Sequence, residues 1–307
     1  MSSLSDLTNS TMRNLILIAV VQGLSYVALS YALTNMPISF FGLIMCLNAA
    51  ITVYLLTNCK ISFNRHVVTG AGVTCMTFVC LFASVKYNGA VVTAIAASLV
   101  PIICLYIENR VHSNQENIKL VTVCCLITVM ITNLMSAQLK VIEDISLSGI
   151  AILIGYVFAI STGRILRTRE YMTNNERHSS LMTGLYLSAI SFGAYYLLSS
   201  DDNNQILLLL ELKVVLLIPI VLGVITTGLG MLLQDNSTVC YPIYFIESVS
   251  ILKVHIASFM TCALSFVTTT NINTSIVYLS INLSVFITAI VVMHKTLNIK
   301  EFQHARL

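Results

Sequence analysis

Three ionisable residues stand where everything around them is apolar: Glu247, Lys253 and His255, in the stretch YFIESVSILKVHIASFM. An acid, an amine and an imidazole can bind an opposite charge, carry a proton or hold one another in place. Inside hydrocarbon such groups are costly, and they face a bundle interior, a partner or a wet cavity. Counted from Ile243 at the helical rise, Lys253 lies about 15 Å along the axis, and its side chain reaches only about 6 Å, too short to return to water. Glu247 is about 6 Å in and reaches the interface. The two are six residues apart, so on a regular helix they point about 120° away from each other and do not pair. Ser250, three residues from each, can bridge one of them through its hydroxyl or a water. His255 lies about two turns from Glu247.

Two uses of these residues are open at this level. In one, Lys253 is held by carbonyls or hydroxyls of neighbouring helices, and Glu247 and His255 are interfacial or core residues. In the other, Lys253 lines a central cavity and attracts an anionic group on a substrate, with Ser250 beside it and Glu247 as a proton-linked gate.

The elements that must position them follow from composition. Of 307 residues 57% are hydrophobic and 9% charged, against about a quarter charged in soluble domains. Apolar runs long enough to cross a bilayer of about 30 Å recur throughout. Ten are expected: 15–33, 39–56, 67–84, 90–107, 120–136, 147–166, 181–198, 214–233, 243–264 and 275–293. The fold class is therefore an all-α integral membrane protein, with a leader at 1–14, five spans in 15–137, five in 138–293 and a tail at 294–307. The leader MSSLSDLTNSTMRN holds one Arg, and the run behind it is too long for a signal peptide, so the first span is expected to be retained. The nine cysteines follow no metal-binding or disulfide spacing and read as small apolar packing residues.

Charge placement orients the chain. With the N-terminus cytoplasmic, twelve of the sixteen Lys and Arg fall on the inner side, among them Arg164, Arg167, Arg169 and Arg177, three fall outside, and Lys253 lies within the ninth run. That bias matches an even number of spans with both termini inside. Internal similarity points to two halves. GVTCMTFVCLF begins at Gly72 in the third run and GVITTGLGMLL at Gly223 in the eighth, each followed by a short polar turn, KYNGA or LQDNST, into the next span. Five spans per half place equivalent elements in opposite orientation, an inverted repeat.

The stretch ASVKYNGAVVTAIAASLVPIICLYIENRVHSNQ resembles the motif of the EamA-type members of the drug/metabolite transporter superfamily. Tyr87, Ala90, Pro101, Glu108 and Gln115 stand at the family's places, and Glu247 matches the acid of a second-half Glu-Pro pair whose proline is here Ser248. The resemblance covers the ten-span layout, and it implies two inverted five-helix halves moving a small metabolite by alternating access. Tyr87 and Pro101 join Lys253, Glu247 and Ser250 as candidate substrate contacts on this basis.

Other features have two readings each. Pro101 and Pro219 fall inside spans four and eight, where each frees a carbonyl and can border a cavity or simply be accommodated. Gly70 and Gly72, and Gly228 and Gly230, read as close-packing positions. Tyr26, Tyr31, Tyr87 and Tyr156 read as ligand contacts or interfacial anchors. No dinucleotide fingerprint, phosphate loop, zinc helix or nucleophile elbow occurs.

The expected function is secondary transport of a small polar metabolite, an amino acid or related compound, by export, through a bacterial inner (plasma) membrane. The chain is expected not to be an enzyme, to need no cofactor or metal, to bind no nucleic acid, and to couple to a proton or counter-substrate. The cavity is expected among spans three, four, eight and nine. The alternatives are a nucleotide-derivative exchanger and a membrane enzyme acting on a lipid-linked substrate, for which acids in the outer loops (Glu143, Asp144, Asp201, Asp202, Glu211) come without a histidine.

Overall fold

A computed structural model describes residues 4–109, 146–168, 172–198, 213–257, 259–260 and 287. All regular structure in these residues is helical. In lipid the backbone has no water to bond, so an apolar span must satisfy its own N–H and C=O groups, which a helix does. The elements are α1 (Leu4–Asn35), α2 (Ile38–Thr57), α3 (Arg65–Ala97), α4 (Val100–Asn109), α5 (Leu147–Thr168) and α6 (Asn174–Leu198). There follow α7 (Lys213–Val221), a π-helical stretch Leu222–Leu229, α8 (Gly230–Ser237) and α9 (Ile243–Ser250), with helix resuming over 252–257.

Six of these segments are long and apolar enough to cross a membrane: Ser10–Asn35, Ile38–Thr57, Arg65–Gly89, Leu147–Arg167, Asn174–Leu198 and Leu216–Ser237. The protein is a multi-pass membrane protein. Leu17, Leu55, Leu197 and Leu198 stand exposed on these helices, where lipid is their solvent. Expected spans five and ten lie outside the described residues, apart from Ile287.

Several boundaries differ from the sequence expectation, each for a local reason. The expected polar leader is helical from Leu4, continuous with α1. Helix α3 does not stop at Ser84 but runs through Tyr87 and Asn88 to Gly89, whose φ of 80° breaks it; only glycine takes that conformation freely. Helix α6 starts at Asn174, well before the apolar run, because Thr173 and Glu176 form a capping box. The Glu176 carboxylate accepts from the Thr173 N–H at 2.8 Å, and the Thr173 hydroxyl accepts from the Glu176 N–H at 3.3 Å. Asn64 caps α3 in the same manner, accepting from the Val67 N–H at 2.8 Å.

Helix packing is close where side chains vanish. A Cβ on Gly23 of α1 would sit 2.8 Å from the Lys253 carbonyl, so this glycine lets α1 lie directly on segment 252–257. Gly228 meets Thr52 and the Ala49 carbonyl, and Gly70 meets Ser180, as close-packing positions should; Gly72 faces open space and Gly230 has only ordinary contacts. The core of Phe41, Phe82, Leu181, Leu185, Phe245 and Val249 joins α2, α3, α6 and α9.

Candidate functional site

The site grows from one face of α5. Tyr156, Ile160, Gly163, Arg164 and Arg167 follow one another at intervals of four, three, one and three, so they share a stripe along that helix. All five line a cavity of about 100 Å³ between the membrane-spanning helices. Facing them are Gln22, Ser25 and Tyr26 of α1, Thr74, Thr77 and Phe78 of α3, Thr226 and Thr227 of the π-helical stretch, and Lys253.

Two arginines expected to mark the cytoplasmic face stand near the C-terminal end of α5 and are turned into the bundle rather than outward. Arg164 and Arg167 are 6% and 2% exposed. Arg164 Nη1 donates to Asp235 Oδ1 at 2.9 Å, and its Nε lies 3.0 Å from Glu247 Oε1, a charge contact without the alignment of a hydrogen bond. Arg164 Nη2 donates to Gln234. Arg167 Nε donates to the other oxygen of Asp235 at 3.0 Å, and its Nη1 to Thr74 Oγ1 at 3.0 Å. Asp235, expected in a polar turn, instead lies on α8 and is 4% exposed. The reason is that a carboxylate between two guanidiniums satisfies all three groups, so helix continues past the apolar run to carry Asp235 inward.

Neutral bonds complete the wall. The Tyr26 and Tyr156 hydroxyls pair at 2.9 Å, joining α1 to α5, and Gln234 Nε2 donates to Gln22 Oε1 at 3.3 Å. The π-helical stretch follows Pro219, the proline inside α7, and it turns two consecutive threonines toward the cavity. Such widened turns recur at functional sites.

Of the residues expected from sequence, three come together. Lys253 lines the cavity, Glu247 sits behind it on Arg164, and Ser250 donates to Glu247 Oε2 at 3.3 Å, the bridging role its spacing allowed. Glu247 is no interfacial acid: it is 2% exposed. Tyr87 and Pro101 are not brought to the cavity. Tyr87 is 65% exposed, and Pro101 is buried in the first turn of α4, which contributes no lining residue. Spans one and six hold the places expected of span four. His255 Nδ1 lies 3.4 Å from the Ile251 carbonyl on its own helix. The residues that sequence reasoning missed, Arg164, Arg167 and Asp235, carried one usable signal: the two arginines lie on the α5 face that also carries Tyr156.

No family model matches the chain, and no curated protein matches it. A solved structure named only "Crystal structure of protein" is similar, with a TM-score of 0.61 at 12% identity over 91% of this chain and 96% of that chain. At that identity the two share a fold, along nearly the whole of both chains.

Proposed function

We propose that this protein is a ten-span secondary transporter of the drug/metabolite transporter type, built of two inverted halves, that moves a small polar metabolite by alternating access. One observation carries the reading. A cavity of about 100 Å³ lies between membrane-spanning helices, and an ammonium, Lys253, buried to 5% exposure, stands in its wall. A charge held at that depth needs a wet chamber or an anion, and a carrier's binding site supplies both.

Two interrupted helices support it further. Helix leaving Gly89 is interrupted at Ser98, nine residues on, and helix leaving Pro242 is interrupted at Ile251, also nine residues on. At each break the backbone N–H turns back three residues, Ser98 to Ile95 at 2.9 Å and Ile251 to Ser248 at 3.1 Å. Paired discontinuous helices in corresponding halves are where carriers build their sites. The orientation that goes with this reading puts both termini in the cytoplasm, since Lys60, Arg65 and Arg177 gather at one end of the bundle and Lys86 lies toward the other.

In use, Lys253 would hold an anionic group of the substrate, and Thr226, Thr227 and Gln22 would meet its other polar atoms. Counter-flow in proteoliposomes against a panel of amino acids, organic acids and nucleotide derivatives tests the reading. Flux that Lys253→Met abolishes at unchanged membrane abundance supports it; full flux in that variant, or no flux with any substrate, sinks it.

A further inference from the structure

Among the described residues, the charged groups that reach the cavity are all of one sign. Arg164, Arg167 and Lys253 line it, whereas the two acids beside them, Asp235 and Glu247, do not. Asp235 is taken up by both arginines, and Glu247 by Arg164 and Ser250. Lys253 differs from the other two cations: among the described residues its nitrogen makes no hydrogen bond and no ion pair. It is a buried donor in the wall of a space that none of the described residues fills.

Charge balance narrows what belongs there. With all five groups ionised, three cations stand against two carboxylates, so the buried cluster of described residues carries one net positive charge. Burying net charge is costly, and one added negative charge removes the excess where two would reverse it. Among the described residues, an ammonium on the ligand would meet no carboxylate in the wall, only cations that repel it in a poorly screened interior.

Size narrows it again. A single water needs about 10–15 Å³ of such space. With a liquid share of about 30 Å³ per water, and a cavity of about 150 Å³ large enough for benzene, a space of about 100 Å³ holds a few waters or a ligand of about ten non-hydrogen atoms or fewer. A nucleotide-linked compound would have to extend well beyond it. The rest of the wall pairs hydroxyls (Ser25, Thr226, Thr227) with apolar surface (Met45, Phe78, Leu81), which suits a short carbon chain with or without a hydroxyl.

We infer that the site selects a small monocarboxylate, a singly charged organic acid of about ten non-hydrogen atoms or fewer, bound through Lys253, and that it rejects zwitterionic amino acids. This rests on the carrier reading above, and its test separates the two. Full-length protein in detergent is titrated calorimetrically with four probes of matched size: lactate (anion), alanine (zwitterion), lactamide (neutral) and 1-amino-2-propanol (cation). Two longer acids, 2-hydroxybutyrate and 2-hydroxyhexanoate, extend the anion arm.

At least one of the acids should bind saturably, about tenfold or more tighter than alanine, as expected for a charge-assisted bond set against a repelled ammonium. Lys253→Met should abolish that binding and Lys253→Arg should retain much of it. Thr227→Val, which keeps every charge, should weaken it several-fold and so guards against misreading a folding defect. Alanine binding as tightly as the acids, no binding by any acid, or acid binding untouched by Lys253→Met overturns the inference. Acid binding without counter-flow removes the carrier reading alone; counter-flow of alanine without acid binding removes this inference alone.

Discussion

Arg164 holds the centre of the site through three partners at once: Asp235, Glu247 and Gln234. Its guanidinium presents several donors in a rigid plane, which is why an arginine rather than a lysine can tie α5 to both α8 and α9. Asp235 is the counterpart, shared between Arg164 and Arg167. Asp235→Leu should therefore cost about 3–5 kcal/mol, because it takes from Arg167 the carboxylate it pairs with and, among the described residues, leaves Arg164 with the carboxylate of Glu247 alone; unfolding of the purified protein in detergent measures it. Adding Arg167→Met to that variant should recover part of the loss. Lys253→Met should behave in the opposite way, holding or raising thermal stability while substrate flux disappears, since among the described residues the ammonium removed makes no hydrogen bond or ion pair. Lys253 and Glu247 were legible in the sequence because they interrupt an apolar run. Arg164 and Asp235 were not, because a charge near the end of a span reads as an interfacial residue until the opposite charge on another helix is seen beside it.

Helices here are shaped by a few residues that break or cap them. Gly89 ends the first part of α3 with positive φ, Pro219 precedes the π-helical stretch, and Ile251 closes α9 before helix resumes under Lys253. Because Gly23 permits α1 to touch the backbone at Lys253, Gly23→Val should push the two segments apart. A cost of about 1–3 kcal/mol is expected from such overpacking, and the affinity of the cavity for its ligand should fall with it, read by the same unfolding and calorimetric measurements. Thr173→Ala should cost about 0.5–2 kcal/mol by opening the capping box of α6, with no change in ligand affinity. The box is plain in the order Thr173, Asn174, Asn175, Glu176, yet the polar stretch that contains it reads as loop when helices are sought by hydrophobicity alone.

At the scale of the whole molecule, the described helices interlock rather than form two separate lobes: α2 packs on α6 and the π-helical stretch, and α3 packs on both α5 and α6. Expected first-half and second-half spans thus share one core, and the bonds that cross between them at the cavity are light ones, Tyr26 to Tyr156, Gln22 to Gln234 and Thr74 to Arg167. Among the described residues the ion pairs join α5 to α8 and α9, all within the expected second half. A motion between halves would break hydrogen bonds worth about 0.5–1.5 kcal/mol each, up to about 3 where one partner is charged, and leave the ion pairs whole. The proposed orientation is checked by single cysteines in a cysteine-free background: Lys60→Cys should react with an impermeant thiol reagent only from the cytoplasmic side, and Lys86→Cys only from outside.

The order of residues by itself determined that this chain lives in a membrane, that it spans it as helices, and that Lys253 had to face the interior, because hydrocarbon imposes those outcomes on any sequence so apolar. What surrounds Lys253 was decided only in three dimensions. Gln22, the arginine pair Arg164 and Arg167, and Asp235 lie far apart along the chain, and neither spacing nor periodicity relates these three places. Packing α1, α3, α5, α8 and the segment after α9 around one space is what makes two arginines take up the acids and, among the described residues, leaves the Lys253 amine facing the cavity without an ion pair.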